Sequence, residues 1–239
     1  MRKERVALVT GANKGIGLEI ARQLAQAGIH VIIGARDEGR GRAAIDDLTA
    51  QGLFADYLRV DLDDLPSAQA AAIRIKAEHG KLDILVNNAG IFDFADGPPG
   101  VASIDAVRRV MEVNFIGTLV VTQAMLPLLR QAPAGRIVNV SSSLGSLTLN
   151  GDPASIYYSQ RFIGYNASKA ALNLLTIQLA EELRDTPIIV NSVSPGFVKT
   201  DLTGRGFLTP EEGAKCPVQY ALAGEENGCF VEADGKTPW

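Results

Sequence analysis

Tyr165 and Lys169 are the residues of this sequence best suited to acid–base chemistry. They lie four positions apart in a helical pattern, which puts both side chains on one helix face. A phenol has an ordinary pKa near 10 and is a poor proton donor at neutral pH. A cation about 4 Å away, at an effective dielectric constant near 20, is worth on the order of 4 kcal/mol, or about three pKa units. Desolvation opposes this shift, so the figure is an upper estimate, and the pair predicts a tyrosine general acid whose pKa is brought towards neutrality.

A tyrosine and a lysine at this spacing also occur as ordinary surface pairs. Tyr157 and Tyr158 provide an internal comparison, because the residues four positions after them are Arg161 and Phe162. Tyr165 alone of these three is followed by a lysine, which favours the catalytic interpretation.

Two other polar features lie in apolar surroundings. Residues 135–143 form an apolar run that ends in three serines, and a hydroxyl there can hold a substrate carbonyl beside Tyr165. Asn114 interrupts an apolar helix pattern. By itself, it indicates a helix-bending residue that is satisfied by water.

Residues 10–17 read Thr-Gly-Ala-Asn-Lys-Gly-Ile-Gly and connect an apolar run to an amphipathic helix pattern. Gly11 permits a tight turn, Gly15 lets the backbone approach a pyrophosphate, and Gly17 lets the helix pack closely on the sheet. The helix N-terminus then offers free N–H groups to an anion. Glycine triplets are common, but this position between strand and helix predicts a dinucleotide phosphate loop.

The elements that must position these residues follow from hydrophobic patterning. Short, uniformly apolar runs alternate with helical patterns, which is typical of βαβ units around a parallel sheet covered on both faces. The predicted strands are 6–9, 30–33, 55–60, 84–86, 136–140, 188–193 and 228–231. The predicted helices are 15–27, 38–51, 65–79, 103–131, 164–184 and 210–222. We therefore expect one α/β domain over residues 1–239, with a doubly wound, seven-stranded parallel sheet.

Composition excludes several classes of protein. With 239 residues, 46% of them hydrophobic and 21% charged, the chain has ample material for a core and is not disordered. With a net charge of −4, the sequence shows no excess of basic residues of the kind that indicates nucleic-acid binding. No run of about 18 apolar residues predicts a membrane span. The apolar run after Arg2 and Lys3 is too short for a signal peptide, which favours a cytoplasmic location. Two cysteines and two histidines fit no zinc signature, so no metal is predicted.

The spacing Thr-Gly-x-x-x-Gly-x-Gly resembles the short-chain dehydrogenase/reductase family. Four later segments resemble motifs of that family in the expected order: 61–62, 87–90, 165–169 and 195–200. Agreement across five separated segments, within a resemblance that spans residues 5–235, is more specific than any motif alone. The resemblance implies a Rossmann fold that carries a nicotinamide cofactor.

The resemblance also implies roles for individual residues. Ser142 would orient a carbonyl, Tyr165 would donate a proton, and Lys169 would lower the tyrosine pKa and hold the nicotinamide ribose. Asn114 would anchor water that links Lys169 to solvent. The implied cofactor-binding residues are Gly11, Asn13, Lys14, Gly15, Ile16, Gly17, Arg36, Asp61, Leu62, Asn88, Ala89, Gly90, Tyr165, Lys169, Pro195, Gly196, Val198 and Thr200.

The choice between NAD and NADP depends on the end of the second strand. Asp37 lies where an acid can hold the ribose 2'-OH of NAD, or it can cap the next helix. Lys14, Arg36 and Arg40 can neutralise a 2'-phosphate, although Arg40 can also be a solvated surface charge. In the family, the NAD-selecting acid falls at the position of Ala35, while Lys14 and Arg36 match NADP-selecting positions. We therefore expect NADP(H) to be preferred over NAD(H).

The predicted reaction is reversible hydride transfer between NADP(H) and a small-molecule aldehyde, ketone, quinone or secondary alcohol. A catalytically silent dinucleotide sensor would have no need of the Ser, Tyr, Lys and Asn set. An epimerase or dehydratase would usually need a larger C-terminal domain than the 39 residues after Thr200. Substrate contacts are expected from aromatic residues, which can equally pack the loops together: Phe92, Phe94, Tyr157, Tyr158, Phe162, Phe197 and Phe207.

One departure from the family concerns the segment 144–164. Ser142 and Tyr165 are 23 positions apart, a longer spacing than is usual, so this segment carries an insertion. We expect it to replace part of the substrate lid. The phosphate loop, this insertion and residues 210–214 look most like carbonyl reductases of the family. A larger insertion in those relatives hinders association between helices, so a homo-oligomer is possible and its state stays open.

Overall fold

The computed structural model describes residues 5–239, so Arg2 and Lys3 lie outside the described residues. Its single sheet has the strand order β3-β2-β1-β4-β5-β6-β7-β8. The strands are β1 (Val6–Thr10), β2 (His30–Ala35), β3 (Ala55–Arg59), β4 (Ile84–Asn87), β5 (Arg136–Val140), β6 (Ile189–Val193), β7 (Phe230–Glu232) and β8 (Gly235–Lys236). The seven predicted parallel strands are confirmed. The predicted count is one short, because β8 is a two-residue antiparallel strand with no sequence pattern of its own.

The strand order reverses at β1, which pairs in parallel with both β2 and β4. Val9 lies opposite Ile33 on one side and Val86 on the other. The chain therefore winds outwards from β1 to β3 and then returns to β4. Ligands of open α/β sheets bind at the carboxyl ends of the strands beside such a switch point.

Helices cover both faces of the sheet. They are α1 (Gly15–Gln26), α2 (Glu38–Thr49), α3 (Leu65–His79), α4 (Ile104–Met111), α5 (Thr118–Leu129), α6 (Leu147–Gly151), α7 (Ile163–Glu182) and α8 (Pro210–Ala223). The predicted helix 103–131 is divided, because Glu112–Gly117 between α4 and α5 is a π-helical turn. The insertion also contains structure that was not predicted, namely α6 and a single 3₁₀ turn at Ser143–Gly145.

The central strands of the sheet are buried on both faces, which explains why most strands are apolar, whereas the edge strand β3 is partly exposed. Leu8, Leu85 and Ile137 contribute to a core beneath α3, α5 and α7. Ala7 and Val9, the neighbours of Leu8 in β1, contribute to the opposite core beneath α1, α2 and α8. Both cores hold the carboxyl edge of the sheet rigidly.

One segment, Ile104–Leu129, is long and apolar enough to cross a membrane by length and composition alone. Half of its most apolar window is buried within the fold. Here α5 packs against α3 and β4, and α4 packs against α7. Core helices of soluble proteins pass the same test, so the segment is explained by its packing in this fold.

Candidate active site

A cleft of about 630 Å³ lies at the carboxyl edge of the sheet. This volume falls within the range of about 300–1,000 Å³ that is typical of small-molecule sites. Most of the predicted cofactor-binding residues line it: Gly11, Asn13, Lys14, Gly15, Ile16, Gly17, Arg36, Asp61, Leu62, Asn88, Ala89, Gly90, Tyr165, Lys169, Pro195 and Thr200. Gly196 and Val198 are outside this lining. Val198 is buried behind it, and its carbonyl accepts a hydrogen bond from Thr203 Oγ1 at 2.9 Å.

The phosphate loop has the geometry that its glycines allow. Gly11 has a φ of 64°, and a Cβ atom there would lie 2.9 Å from Ala89 Cα. A Cβ atom on Gly17 would lie 2.5 Å from the Gly11 carbonyl oxygen. Among the described residues, no side chain caps the N-terminus of α1 at Lys14. The backbone N–H groups of the first turn are therefore free to bind an anion such as a pyrophosphate.

Thr10 and Asn88 fix this loop to the neighbouring strand. Thr10 Oγ1 accepts hydrogen bonds from the backbone N–H groups of Asn88 and Ala89, both at 3.0 Å. Asn88 Nδ2 donates to the Thr10 carbonyl at 2.9 Å. The Asn88 amide and the Thr10 hydroxyl therefore brace the loop together, and no role for Thr10 was predicted from the sequence.

Cationic side chains gather at the end of the cleft beside β2. Lys14, Arg36 and Arg40 line it. Lys14 Nζ donates to Asp201 Oδ2 at 2.7 Å, and both side chains are more than half exposed. Asp37 Oδ1 accepts from the backbone N–H of Arg40 at 2.8 Å and so caps α2. Because Asp37 is engaged as a helix cap, the remaining donor set fits a 2'-phosphate.

Asp61 and Leu62 lie in the cleft wall after β3. The Asp61 carboxylate accepts from Arg59 at 3.0 Å and from the backbone N–H of Asp63 at 3.2 Å. Its backbone N–H donates to Ser67 Oγ at 2.9 Å. These bonds hold the turn into α3 and fix this wall of the cleft.

Of the four predicted catalytic residues, Tyr165 and Lys169 line the cleft, whereas Ser142 and Asn114 lie outside its lining. Lys169 Nζ lies 5.7 Å from the centre of the Tyr165 ring, on the same face of α7. It donates to the carbonyl of Val140, at the end of β5, at 2.9 Å. The Ser142 hydroxyl lies near enough to the Tyr165 side chain to lower its pKa, and its Oγ accepts a hydrogen bond from the backbone N–H of Leu144 at 3.2 Å.

The serines on either side of Ser142 have other partners. Ser141 Oγ donates to Asn173 Oδ1 at 2.7 Å, and Ser143 Oγ donates to Ser194 Oγ at 3.4 Å. Both serines are buried. Of the three serines, Ser142 is therefore the one whose hydroxyl acts on the pKa of Tyr165.

The protonation of the pair differs from the sequence-based expectation. Burial raises the pKa of Tyr165 to about 12, and the Ser142 hydroxyl acts in the opposite direction. Burial lowers the pKa of Lys169 to about 8. The expected shift of the tyrosine pKa towards neutrality is therefore wrong for the protein without cofactor. An enclosed site disfavours the charged form of both groups.

Asn114 lies in the π-helical turn between α4 and α5. Its Oδ1 accepts from the backbone N–H of Ile91 at 2.8 Å. Its Nδ2 donates to the Ile91 carbonyl at 3.0 Å and to Ser168 Oγ at 3.1 Å. The amide is thus satisfied by protein groups and not by water alone, and it joins the loop after β4 to α7. Helical π-bulges are frequent at functional sites.

Sequence reasoning missed Asp96, a buried residue in the loop after β4. Its Oδ2 accepts from the backbone N–H of Tyr165 at 2.8 Å, and its Oδ1 accepts from that of Gly164 at 3.0 Å. Phe162, at the N-cap position of α7, provides no capping side chain. Asp96 therefore caps the helix that carries Tyr165 and Lys169, and no local signal could have revealed a cap 68 positions away in sequence.

Several of the predicted aromatic residues do form a wall beside the tyrosine. The Phe92 ring centre lies 5.6 Å from that of Tyr165, 5.0 Å from that of Phe162 and 5.4 Å from that of Phe94. Phe94 is 84% exposed, so this wall extends from the tyrosine to the mouth of the cleft.

Comparisons with known proteins agree with this site. The family model described as short chain dehydrogenase matches residues 5–209. Carbonyl reductase (NADPH) 1 of Homo sapiens is 34% identical over 276 residues, which cover 98% of each chain. (-)-Isopiperitenone reductase of Mentha piperita is 34% identical, with 97% of each chain covered. The solved NADPH-bound carbonyl reductase from chicken fatty liver has a TM-score of 0.85 and 29% identity, covering 99% of this chain and 95% of that one.

The chain therefore belongs to the short-chain dehydrogenase/reductase family, and within it resembles the carbonyl reductases. The alignment with the human protein is longer than the 239 residues of this chain. The human relative therefore contains segments that this chain lacks.

Proposed function

We propose that this protein is an NADP(H)-dependent reductase of small-molecule carbonyl compounds: aldehydes, ketones or quinones. The observation that carries the proposal is that Tyr165 and Lys169 line the cleft that the phosphate loop closes at its other end, with Ser142 two residues after β5 and next to this lining. The cofactor is NADP(H), consistent with the NADPH named for two of the relatives and with the cations beside β2.

Bound NADPH supplies the hydride for this reaction. Ser142 and Tyr165 hold the carbonyl oxygen between two hydroxyl groups, and Tyr165 donates the proton as negative charge develops there. A tyrosine pKa of about 12 keeps the hydroxyl protonated and ready to donate throughout the physiological pH range. The Lys169 ammonium stabilises the tyrosinate that forms when the proton is donated. Asn114 orients the backbone of Ile91 and the side chain of Ser168, the residue before Lys169.

The cofactor-binding residues and the catalytic roles given above are part of this proposal, as are a single domain over residues 1–239 and a cytoplasmic location. The aromatic wall beside Tyr165 favours substrates with a flat or apolar group next to the carbonyl. The competing function is a dinucleotide sensor without catalysis, which would bind NADPH and turn over no carbonyl compound.

The test is a screen of NADPH oxidation across aldehydes, ketones and quinones, followed by Tyr165→Phe. We expect the variant to bind NADPH normally and to lose a factor of about 10²–10⁴ in kcat, which is the typical contribution of a general acid. Tyr220→Phe, which changes a tyrosine on α8 that does not line the cleft, should keep normal turnover. Near-normal kcat in Tyr165→Phe would refute the assigned role, and NADPH binding without turnover of any substrate would favour the sensor.

A further inference from the structure

We propose that His30, Asp56 and His79 form a binding site for one zinc ion at the end of the sheet opposite the active site. The chain contains two histidines, and the fold brings both of them to one carboxylate. One candidate ligand atom from each of the three side chains lies within 4.8 Å of the others. Sequence spacing predicted no metal, because the three residues are separated by 26 and 23 positions.

The fold explains how the three residues meet. His30 begins β2, and Asp56 lies in the paired strand β3 opposite Ile32, two residues further along β2. Residues two apart in a strand share a face, so His30 and Asp56 project to the same side of the sheet. His79 is the last residue of α3, whose C-terminus is closed by Gly80 in a left-handed conformation.

The unsatisfied nitrogen of His79 is the observation that points to a ligand. His79 Nε2 is buried, and no group among the described residues forms a hydrogen bond with it. Buried polar atoms without a partner are uncommon in native proteins, and a bound ion can supply the partner that such an atom lacks. The His79 ring lies 4.8 Å, centre to centre, from that of His30, whose Nε2 already lies 2.8 Å from Asp56 Oδ2.

The donor chemistry selects the type of ion. Two imidazole nitrogens and one carboxylate oxygen suit zinc, whereas magnesium and calcium prefer oxygen ligands alone. Zinc with bonds of about 2.0–2.1 Å places tetrahedral ligands about 3.4 Å apart, so small side-chain rotations close this cluster. Asp56 is half exposed, which leaves room for water as the fourth ligand.

The surrounding charges permit a cation. The C-terminus of α3 carries the negative end of its helix dipole towards His79. Arg74 lies near enough to Asp56 to interact with it, but its Nε donates to Glu78 Oε1 at 2.8 Å. Lys76 is the other base in the last turn of α3. A bound ion would fasten β3, at the edge of the sheet, to the end of α3.

The test uses the full chain, stripped of metals with EDTA and titrated calorimetrically with zinc chloride at about pH 7.5. We expect one zinc ion per chain, a higher thermal midpoint with zinc, and no competition by magnesium. His30→Gln and His79→Gln should each weaken zinc binding by at least about tenfold. NADPH-dependent activity should be unchanged in both variants, because the active site lies at the other end of β2.

Cys229→Ser is the matched control, since Cys229 is a partly exposed thiol that could hold zinc on its own. It should bind zinc like the unaltered chain. Circular dichroism without metal checks folding, and the exposed change Asp56→Asn provides the same readout if a histidine variant does not fold. Absence of stoichiometric binding, undiminished binding in both histidine variants, or loss of binding in Cys229→Ser would each overturn the site.

Discussion

Burial acts on Tyr165 and Lys169 so that each favours its neutral form. The tyrosine, with its pKa raised to about 12, stays protonated under all ordinary assay conditions. The lysine, with its pKa lowered to about 8, changes charge within them. In the protein without cofactor, the group of this pair that senses pH is therefore the lysine.

This difference predicts the pH profile of kcat/KM for NADPH, which reports groups of the free enzyme. The Lys169 ammonium is present below pH 8 and is lost as the pH rises through 8, because its pKa is lowered. We expect kcat/KM to be level below about pH 8 and to fall above it. Lys215→Met, at an exposed position on α8, should keep this break, and Lys169→Met should abolish it. A profile that stays level through the whole alkaline range would contradict the prediction.

Lys14 can form an ion pair with either of two anions, the Asp201 carboxylate or the cofactor phosphate. Exposed ion pairs contribute little because solvent and salt screen them, so Asp201 competes only weakly. We expect Asp201→Asn to lower KM for NADPH by up to about fivefold and to leave KM for NADH unchanged. Lys14→Ala should raise KM for NADPH alone, by about tenfold.

Asp234→Asn, in the turn between β7 and β8, is the control for this charge change. It should leave both KM values unchanged. Equal shifts for NADPH and NADH in Lys14→Ala would show that Lys14 does not contact the 2'-phosphate.

At the scale of elements, the N-terminus of α7 depends on a carboxylate from a distant loop. Asp96 accepts from the backbone N–H of Tyr165 itself, so the cap also positions the catalytic residue. We expect Asp96→Ala to lower the free energy of unfolding by about 1–2 kcal/mol and to reduce kcat more than it raises KM for NADPH. Denaturant unfolding and steady-state kinetics measure the two effects.

Two variants sharpen this prediction. Asp96→Asn keeps one acceptor oxygen and should recover part of both losses. Asp152→Ala removes an exposed aspartate that caps only a local turn, and it should change neither quantity by much. A stability loss with unchanged kcat would limit Asp96 to a structural role.

Elements with a strong local signal were the ones that sequence analysis predicted. The glycine loop, the seven parallel strands and the helix predicted at 210–222, which begins at the capping box of Thr209 and Glu212, all depend on residues close in sequence. The π-helical turn around Asn114 and the Asp96 cap depend on contacts made after folding. The raised pKa of Tyr165 was missed for the same reason, since burial belongs to the folded site and not to the four-residue spacing.

At the scale of the whole molecule, a chain of buried polar side chains crosses the centre of the sheet. Asn87 Nδ2 on β4 donates to Asn139 Oδ1 on β5 at 2.8 Å. Asn139 Nδ2 donates to Thr176 Oγ1 on α7 at 2.8 Å, and that hydroxyl lies 2.8 Å from Ser192 Oγ on β6. Each bond links a different pair of elements, so the network fixes α7 relative to the sheet that carries Ser142.

The last residues of the chain hold the insertion before Tyr165 in place. The Trp239 ring stacks on Phe230 of β7, with ring centres 5.6 Å apart, and its carbonyl accepts from the backbone N–H of Thr148 in α6 at 3.0 Å. We expect Trp239→Ala to lose about 0.5–1.5 kcal/mol of stacking and to speed amide hydrogen exchange in α6. KM for the carbonyl substrate should rise while KM for NADPH stays constant, because Phe162 of the insertion packs against Phe92 in the aromatic wall beside Tyr165. Phe54→Ala, at a 76% exposed position, should change neither the exchange nor the kinetics. Unchanged exchange in α6 of Trp239→Ala would show that the insertion is held by its own contacts.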